Sequence, residues 1–401
     1  MVDLPERFKE EMRALLGEES EGLFAALNDK PLTSVRINRR KPVADFGNEE
    51  PVPWCKSGFY LAQRPEFIFD PLLHAGAYYV QDASSMIYEP LTEKLLQELN
   101  FTDEDKDRKS SKTSFLRVLD LCAAPGGKTT AMINALPDGC EVVANEYVKK
   151  RLGALQENID RWGYPSVTVT NKDSTYFAQQ GETFDIIAVD APCSGEGMMR
   201  KEEVSRTQWC PQLVSQCAQL QKEILKNANE ALKPGGFLVY STCTFNRKEN
   251  EENAQYIKEE LGLIPFNPEF PDDWNIQNGI GTEIPVFRFM PHKTKGEGLF
   301  LAVFRKPGEW IPSRPTGLLS KKNSKQFRNK VSSETEVEYP RVDVDKSTAI
   351  SYLKGESIIL PENSPKGMVL ITYKGLALGE AKNIGARANN HYPKNRRILK
   401  R

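Results

Sequence analysis

Two cysteines lie in turns rather than in apolar runs. Cys193 belongs to Asp190-Ala-Pro-Cys-Ser-Gly195 and Cys243 to Ser241-Thr-Cys-Thr244. A buried cysteine acts as a small hydrophobe, which suffices for Cys140 and Cys217. Residues in loops more often carry function. Each turn follows an apolar run, Phe184 to Asp190 and Phe237 to Tyr240, that reads as a buried strand. If those strands are sheet neighbours they lie roughly 5 Å apart, and their ends aim both sulfurs into one cleft. A thiolate beside a methyl donor has a defined use. Carbon 5 of cytosine is too electron-poor to take a methyl group directly. Sulfur addition at carbon 6 turns the ring into an enamine that is nucleophilic at carbon 5, dividing one hard step into easier ones. Asp190 is placed to protonate ring nitrogen 3 as sulfur adds. A second thiol serves the finish, since the carbon 5 proton must leave before the first sulfur does. On geometry alone either thiol can attack.

The elements that position these turns alternate. Phe115 to Leu121 reads as a first buried strand, followed by the small-residue turn Cys122-Ala-Ala-Pro-Gly-Gly127 and a helix beginning near Lys128. Glycines there admit close approach of a ligand, and the helix start offers free N–H groups. A phosphate-cradling P-loop would need glycine where Cys122 stands, and the dinucleotide G-x-G-x-x-G fingerprint is absent. Glu141 to Glu146, Val167 to Thr170, Phe184 to Asp190 and Phe237 to Tyr240 are the next strands, and Phe300 to Phe304 closes the unit. A helix between the last two presents Leu213, Cys217, Leu220, Ile224 and Ala228, and stops at Lys233-Pro-Gly-Gly236. This predicts an α/β, doubly wound Rossmann-like domain over residues 101–306, its parallel sheet covered on both faces. Ligands bind such sheets beyond the carboxyl ends of the strands. Those ends carry Asp120, Glu146, Asp173 and Asp190 besides the two thiols. An acid after the second strand can hold both hydroxyls of an adenosine ribose. That logic serves NAD and S-adenosylmethionine equally.

The chain has 401 residues, seven cysteines without paired spacing and three scattered histidines, which argues against a disulfide framework or a zinc site. No apolar run reaches membrane-span length and the first 41 residues are charged throughout, so a cytoplasmic protein with no membrane partner and no metal is expected. The net charge of −1 hides an asymmetry: residues 311–401 hold 18 Lys and Arg against 8 Asp and Glu, a net of +10, leaving −11 elsewhere. Such an end suits a polyanion. Residues 1–100 read as a small α+β lobe, with helices carrying Leu4, Phe8, Met12, Leu23, Phe24 and Leu27. Its strand from Ser34 to Lys41 turns Arg36, Arg39, Arg40 and Lys41 outward, toward RNA. Residues 102–113 form a charged loop, 307–330 a linker, and 331–401 a β-rich module. Its strands are Ser357 to Leu360 and Met368 to Tyr373, and its tail offers Lys394, Arg396 and Arg397 to RNA.

These motifs resemble the RNA (cytosine-5)-methyltransferases of the Nol/Nop/Sun superfamily. The resemblance lies in Cys122 to Thr129, Asn145-Glu146, Asp173, Asp190 to Gly195 and Ser241 to Thr244. Gly76, Tyr78, Gln81-Asp82, Ser84-Ser85, Pro291-His292 and Gly296-Glu297-Gly298 extend it, and together they span residues 1–305. Gly367 to Gly379 and Asn390 to Lys394 resemble the PUA-like RNA-binding module of a bacterial branch that modifies 16S ribosomal RNA. The resemblance implies S-adenosylmethionine as cofactor, held by Cys122, Ala123, Ala124, Pro125, Gly126, Gly127, Lys128, Glu146, Asp173 and Asp190. It implies Cys243 as nucleophile, Cys193 for product release and Asp190 for base protonation. It also implies 16S ribosomal RNA, or the 30S subunit, as partner; the sequence leaves the oligomeric state open, with a monomer favoured. The competing expectations are a non-catalytic RNA-binding or assembly factor, and 5-methylcytidine formation on tRNA. Amino-group methylation would use an Asn/Asp-Pro-Pro-aromatic turn, where this chain has Asp-Ala-Pro-Cys.

Overall fold

The computed structural model describes residues 2–101, 116–312 and 339–399. The expected loop 102–113, the Phe115 strand start, most of the expected linker and the start of the C-terminal module fall outside these residues.

The chain opens with α1 (Glu6–Leu16) and α2 (Glu19–Asn28). The apolar residues expected there, from Leu4 to Leu27, are buried, against Met199, Trp209, Val214, Phe245 and Met290 of the central domain. β1 (Thr33–Ile37), β2 (Glu50–Val52), β3 (Cys55–Leu61), the short α3 (Pro71–His74) and β4 (Tyr78–Val80) follow. They form an antiparallel sheet in the order β2-β3-β1-β4. α4 (Tyr88–Glu98) leads into the central domain.

There β5 (Arg117–Asp120), α5 (Gly127–Ala135), β6 (Glu141–Asn145), α6 (Leu152–Trp162), β7 (Val167–Thr170), α7 (Ser174–Ala178) and β8 (Phe184–Asp190) alternate. α8 (Glu203–Gln208), α9 (Pro211–Ala231) and β9 (Leu232–Thr242) complete the parallel half, β7-β6-β5-β8-β9. After α10 (Glu251–Glu259), the strands β10 (Ile264–Pro265), β11 (Gln277–Asn278), β12 (Val286–Phe289) and β13 (Leu299–Arg305) join antiparallel beyond β9. Separate apolar clusters cover the two faces, so the apolar runs of β5, β8 and β9 are buried on both sides.

Two helix and strand limits differ from the sequence expectation. β9 begins at Leu232 rather than Phe237, because the glycines let it continue: a Cβ on Gly236 would lie 2.7 Å from the Asp185 carbonyl oxygen. α9 buries Val214, Gln221, Ile224, Leu225 and Ala228, while Leu220 is 44% exposed. A polar contact turns that face inward: Gln221 accepts from the buried Tyr240 hydroxyl at 3.0 Å and donates to Glu249 at 2.8 Å.

The C-terminal module comprises β14 (Arg341–Asp343), α11 (Lys346–Leu353), β15 (Gly367–Tyr373), β16 (Leu376–Asn383) and β17 (Ala388–Asn390), in the order β14-β15-β16-β17. Ser357 to Leu360 supplies a single bridge, Ile358 to Ala388, instead of a strand. Its core reaches Ala75, Ile68 and Phe69 of the N-terminal lobe. The basic tail is docked: Tyr392 and Ile398 are buried, and the Tyr392 ring lies 5.5 Å from that of Tyr352.

Of the expected basic outer face, Arg36 is turned inward and Lys41 is half-buried, while Arg39 and Arg40 stay exposed and engage partners on neighbouring elements. Arg36 is fully buried and donates to Gln81 (2.8 Å), the Thr130 carbonyl (3.1 Å) and the Thr130 hydroxyl (2.6 Å), its guanidinium over Trp162. Arg39 pairs with Glu89 and Glu93, each at 2.6 Å. Arg40 pairs with Asp138, donates to the Leu136 carbonyl and lies over Tyr164. Lys41 donates to the carbonyls of Ala75 (2.8 Å) and Arg161 (2.6 Å), and burial pulls its ammonium down to about 8. Carbonyls at the ends of α3, α5 and α6 need donors, and this run supplies them. The lobe is therefore bolted to the central domain.

Gly76 sits in the same seam with φ +72°, and an added Cβ would fall 1.8 Å from the Arg161 carbonyl oxygen. Gly76→Ala should lower stability by about 2 kcal/mol or more, from left-handed strain plus overlap. Gly153→Ala meets nothing within 4 Å and serves as control. Thermal unfolding of both variants checks the difference; equal midpoints would remove the seam from the stability of the fold.

Candidate active site

β5 ends at Asp120, and the turn Leu121 to Gly126 leads into α5. Gly126 has φ +106°, a conformation side chains resist, and a Cβ there would lie 3.3 Å from Leu155 of α6. The Ala124–Pro125 peptide is cis. Ala123 N–H donates to the Asn145 carbonyl at 2.7 Å, tying the turn to the end of β6. Asp120 is buried; its Oδ2 accepts from the Thr129 hydroxyl at 2.6 Å and its Oδ1 has no protein partner. Burial pushes its carboxyl to about 7 and raises the Cys122 thiol well above its ordinary range.

Glu146 follows β6, is 3% exposed, and accepts from Val148 N–H (2.7 Å) and Arg151 (3.2 Å). Asp173 is exposed and caps α7, its Oδ1 accepting Thr175 N–H at 3.0 Å. The residues present fit a nucleoside-type cofactor. They combine a turn without side chains at Gly126 and Gly127, a carboxylate after the second strand of the unit, and a buried carboxyl oxygen without a partner.

The thiols meet as their strands do. β8 and β9 are paired through Asp190 and Ser241. Just beyond, Cys193 Sγ and Cys243 Sγ are 3.2 Å apart. The contact with Cys243, then burial, keeps the Cys193 thiol well above its ordinary range. Asp190 Oδ2 accepts from Lys128 Nζ at 2.8 Å and its Oδ1 from the Ser241 hydroxyl at 2.8 Å. Ser241 in turn accepts from the buried Tyr88 hydroxyl at 2.8 Å. Burial opposes the charge on Lys128, but the Asp190 carboxylate more than offsets it and the ammonium is raised.

Cofactor turn, acids and thiols thus share the carboxyl rim of one sheet. Of the proposed RNA contacts, Lys394 is exposed, Arg396 pairs with Asp160 at 2.5 Å, and Arg397 donates to the Tyr392 carbonyl. Tyr88 and the carboxylates Glu196 and Glu249 were not singled out from the sequence. Tyr88 lies far from Ser241 along the chain, and only the Glu-Asn-Glu run after Cys243 offered a signal. Among the described residues no helix is long and apolar enough to cross a membrane, and no His/Cys/Asp/Glu group could hold a metal.

The ordinary value for Asp120 is 3.8. Between there and about 7 the folded chain holds a proton that the unfolded chain has lost, so this group makes stability fall as pH rises across that window. Asp120→Asn keeps an acceptor for Thr129 and removes the loss. Its unfolding free energy, from denaturant titration, should exceed wild type at pH 8 by an amount on the order of a few kcal/mol, and the gain should shrink toward pH 4. An advantage that is the same at both pH values would show that burial of the charge is not its source.

The family profile described as 16S rRNA methyltransferase RsmB/F matches residues 111–305. Profiles for the N-terminal domain of 16S rRNA methyltransferase RsmF and for the methyltransferase RsmF PUA domain match residues 4–83 and 339–398. Among curated relatives, ribosomal RNA small subunit methyltransferase F of Shewanella amazonensis is 36% identical over 285 residues, 68% of this chain and 58% of its own length. The Escherichia coli protein of the same name is 35% identical over 336 residues, 79% of this chain and 66% of its own. The chain therefore spans under two thirds of the length of these relatives. A methyltransferase homologue from Pyrococcus horikoshii superposes with a TM-score of 0.61 at 25% identity, covering 75% of this chain and 95% of that one. NSun6 from the same organism gives 0.61 at 22% identity over 76% and 99%, a likeness of fold. These matches support S-adenosylmethionine as the cofactor. From its N-terminal lobe to its PUA module, the chain belongs to the RsmF-like Nol/Nop/Sun methyltransferases.

Proposed function

We propose that this chain methylates carbon 5 of a cytidine in 16S ribosomal RNA, with Cys243 as nucleophile and Cys193 as the residue of product release. The observation that carries the reading is the pair of sulfurs 3.2 Å apart beside the Lys128–Asp190 pair. S-adenosylmethionine supplies an electrophilic methyl group when bound. Cys122 to Lys128, Glu146, Asp173 and Asp190 would hold it. Cys243, as thiolate, adds to carbon 6, and the ring electrons move toward nitrogen 3. A proton reaches that nitrogen through Asp190, supplied by the Lys128 ammonium that donates to its Oδ2 at 2.8 Å, while Ser241 holds Oδ1. Carbon 5, now nucleophilic, takes the methyl group. Once Cys243 is a thioether, Cys193 gives its own proton to solvent and, as thiolate, accepts the carbon 5 proton. Nitrogen 3 returns its proton through Asp190, the carbon 6–sulfur bond breaks, and the Cys243 thiolate returns. The raised Cys193 thiol supports this order: it keeps its proton while Cys243 attacks.

Sulfur must approach from above the ring plane, where stacked neighbours stand, so the target nucleotide is unstacked or flipped. Cations not paired with an acid among the described residues support the RNA partner. Arg64 is exposed over the Phe67 ring, and Arg397 binds only a carbonyl among the described residues. With Arg161 and Arg396 they wall a cavity of about 530 Å³ between the lobe, α6 and the C-terminal tail, against the acids Glu66 and Glu157.

Cys243→Ala should abolish both methyl transfer and any covalent RNA complex. Cys193→Ala should methylate but not release, leaving a protein–RNA adduct on denaturing gels. Adduct accumulation in Cys243→Ala instead would reverse the roles. Bisulfite sequencing of RNA from a deletion strain locates the product, and an unchanged 16S pattern would refute the substrate. Replacing Arg64 and Arg397 together by Ala should flatten the salt dependence of RNA binding, lowering the log–log slope by about 1.5, while cofactor affinity holds. An unchanged slope would free the cavity of any part in RNA grip.

A further inference from the structure

Beyond Asp190 and Ser241 the β8–β9 ladder ends, yet the loops carrying the thiols remain locked together. The lock is a pair of buried carboxylates, each on one loop and each bonded to the other. Glu196, on the Cys193 loop, accepts the backbone N–H groups of Phe245 (2.5 Å) and Asn246 (3.0 Å), just past Cys243. Glu249, on the Cys243 loop, accepts the N–H of Ser194 at 3.0 Å, next to Cys193. The Asn246 side-chain amide bridges the two acids, at 3.0 Å from Glu196 and 2.8 Å from Glu249. Gly197 N–H to the Cys243 carbonyl (2.7 Å) and Ser194 Oγ to Thr244 Oγ1 (3.0 Å) complete the joint.

Both carboxylates have 0% relative exposure. Their other donors, Trp209 Nε1 and Gln221 Nε2, are neutral. Burying two acids side by side is costly. A merely well-packed joint would be built more cheaply from apolar side chains. What carboxylates add is direction, since each fixes several N–H groups of a loop that has no ladder of its own.

We propose that Glu196 and Glu249 form a reciprocal clamp that sets the Cys193–Cys243 separation, acting as positioning residues for the thiol pair. The relevance to turnover rests on the two-thiol chemistry above. The two sulfurs act in succession on adjacent ring atoms, so a loop shift on the order of 1 Å costs rate by about a hundredfold. Gln at position 249 cannot reproduce the joint. With its oxygen kept on Ser194 N–H and Gln221, it turns its NH₂ group on the Asn246 amide that bridges to Glu196, and that amide cannot flip to receive it because its Oδ1 already accepts Glu249 N–H.

The test uses Glu249→Gln and Glu196→Gln in the full chain, with diamide as a probe that takes two electrons and two protons from the thiol pair. Wild type should form the Cys193–Cys243 disulfide readily without RNA, and each variant should form it about tenfold more slowly. Their kcat should fall by about 10–100-fold, with KM for RNA and cofactor affinity within about twofold. Folded variants that cross-link at the wild-type rate would overturn the clamp. Slowed cross-linking with normal turnover would uphold the clamp and count against the two-thiol chemistry. Should the variants fail to fold, hydrogen exchange on wild type decides. The amides of Ser194, Phe245 and Asn246 should exchange as slowly as the β8–β9 ladder, and exchange at exposed-loop rates would overturn the proposal.

Discussion

The parallel pairing of β8 with β9 is the contact on which the site depends. It brings Asp190 opposite Ser241 and delivers two loops, far apart in sequence, to one cleft. Strands buried on both faces lack the alternation that would fix their register, so other contacts must. Asp185, buried at the start of β8, accepts from Arg117 N–H at 2.7 Å, Lys233 at 3.0 Å and Trp310 Nε1 at 3.0 Å. Gly236 of β9 packs against its carbonyl, where no Cβ fits. One end of the pair is thus anchored by a charge and a glycine. The other end is held by Ser241 and the two glutamates of the loops.

The N-terminal lobe belongs to the same mechanical unit. Arg36 reaches across from β1 and satisfies carbonyl oxygens near the start of α5, the helix that follows the glycine turn. A buried guanidinium with every donor engaged is expensive to disturb, because loss of its partners leaves a desolvated charge. Tyr88 extends the connection, since α4 passes its hydroxyl to Ser241 and so to Asp190. The lobe therefore helps set the geometry of the reacting groups as well as covering the sheet.

What the sequence made legible was local. The alternation of strands and helices, the glycine turn after Asp120 and the placement of Glu146, Cys193 and Cys243 at strand ends follow from short-range patterns. The engagement of Arg36 to Lys41 with the central domain was not legible. A basic strand reads as solvent-facing until its acceptors are known, and Thr130, Glu89, Asp138 and Arg161 are all distant in the chain. The α9 face failed similarly: Leu220 fits the helical period, but the Gln221–Tyr240–Glu249 network claims the buried side. Charge composition said nothing of the tail's docking through Tyr392 and Ile398.

The proximity of the sulfurs has a consequence for the order of events in the proposed chemistry. Two thiols in contact cannot readily both be anions, because each charge opposes the other at short range. The pair therefore carries at most one negative charge, and in the proposed order Cys193, raised by its contact with Cys243 and by burial, is the member that keeps its proton. Once Cys243 has bonded to carbon 6 its sulfur is a neutral thioether, and the repulsion that held the Cys193 proton in place is gone. Cys193 thus becomes easier to ionise at the stage where a base is needed for the carbon 5 proton. A wider separation would lose this coupling, and a disulfide would remove both thiols. The reciprocal carboxylates hold the sulfurs at the short separation that this coupling needs.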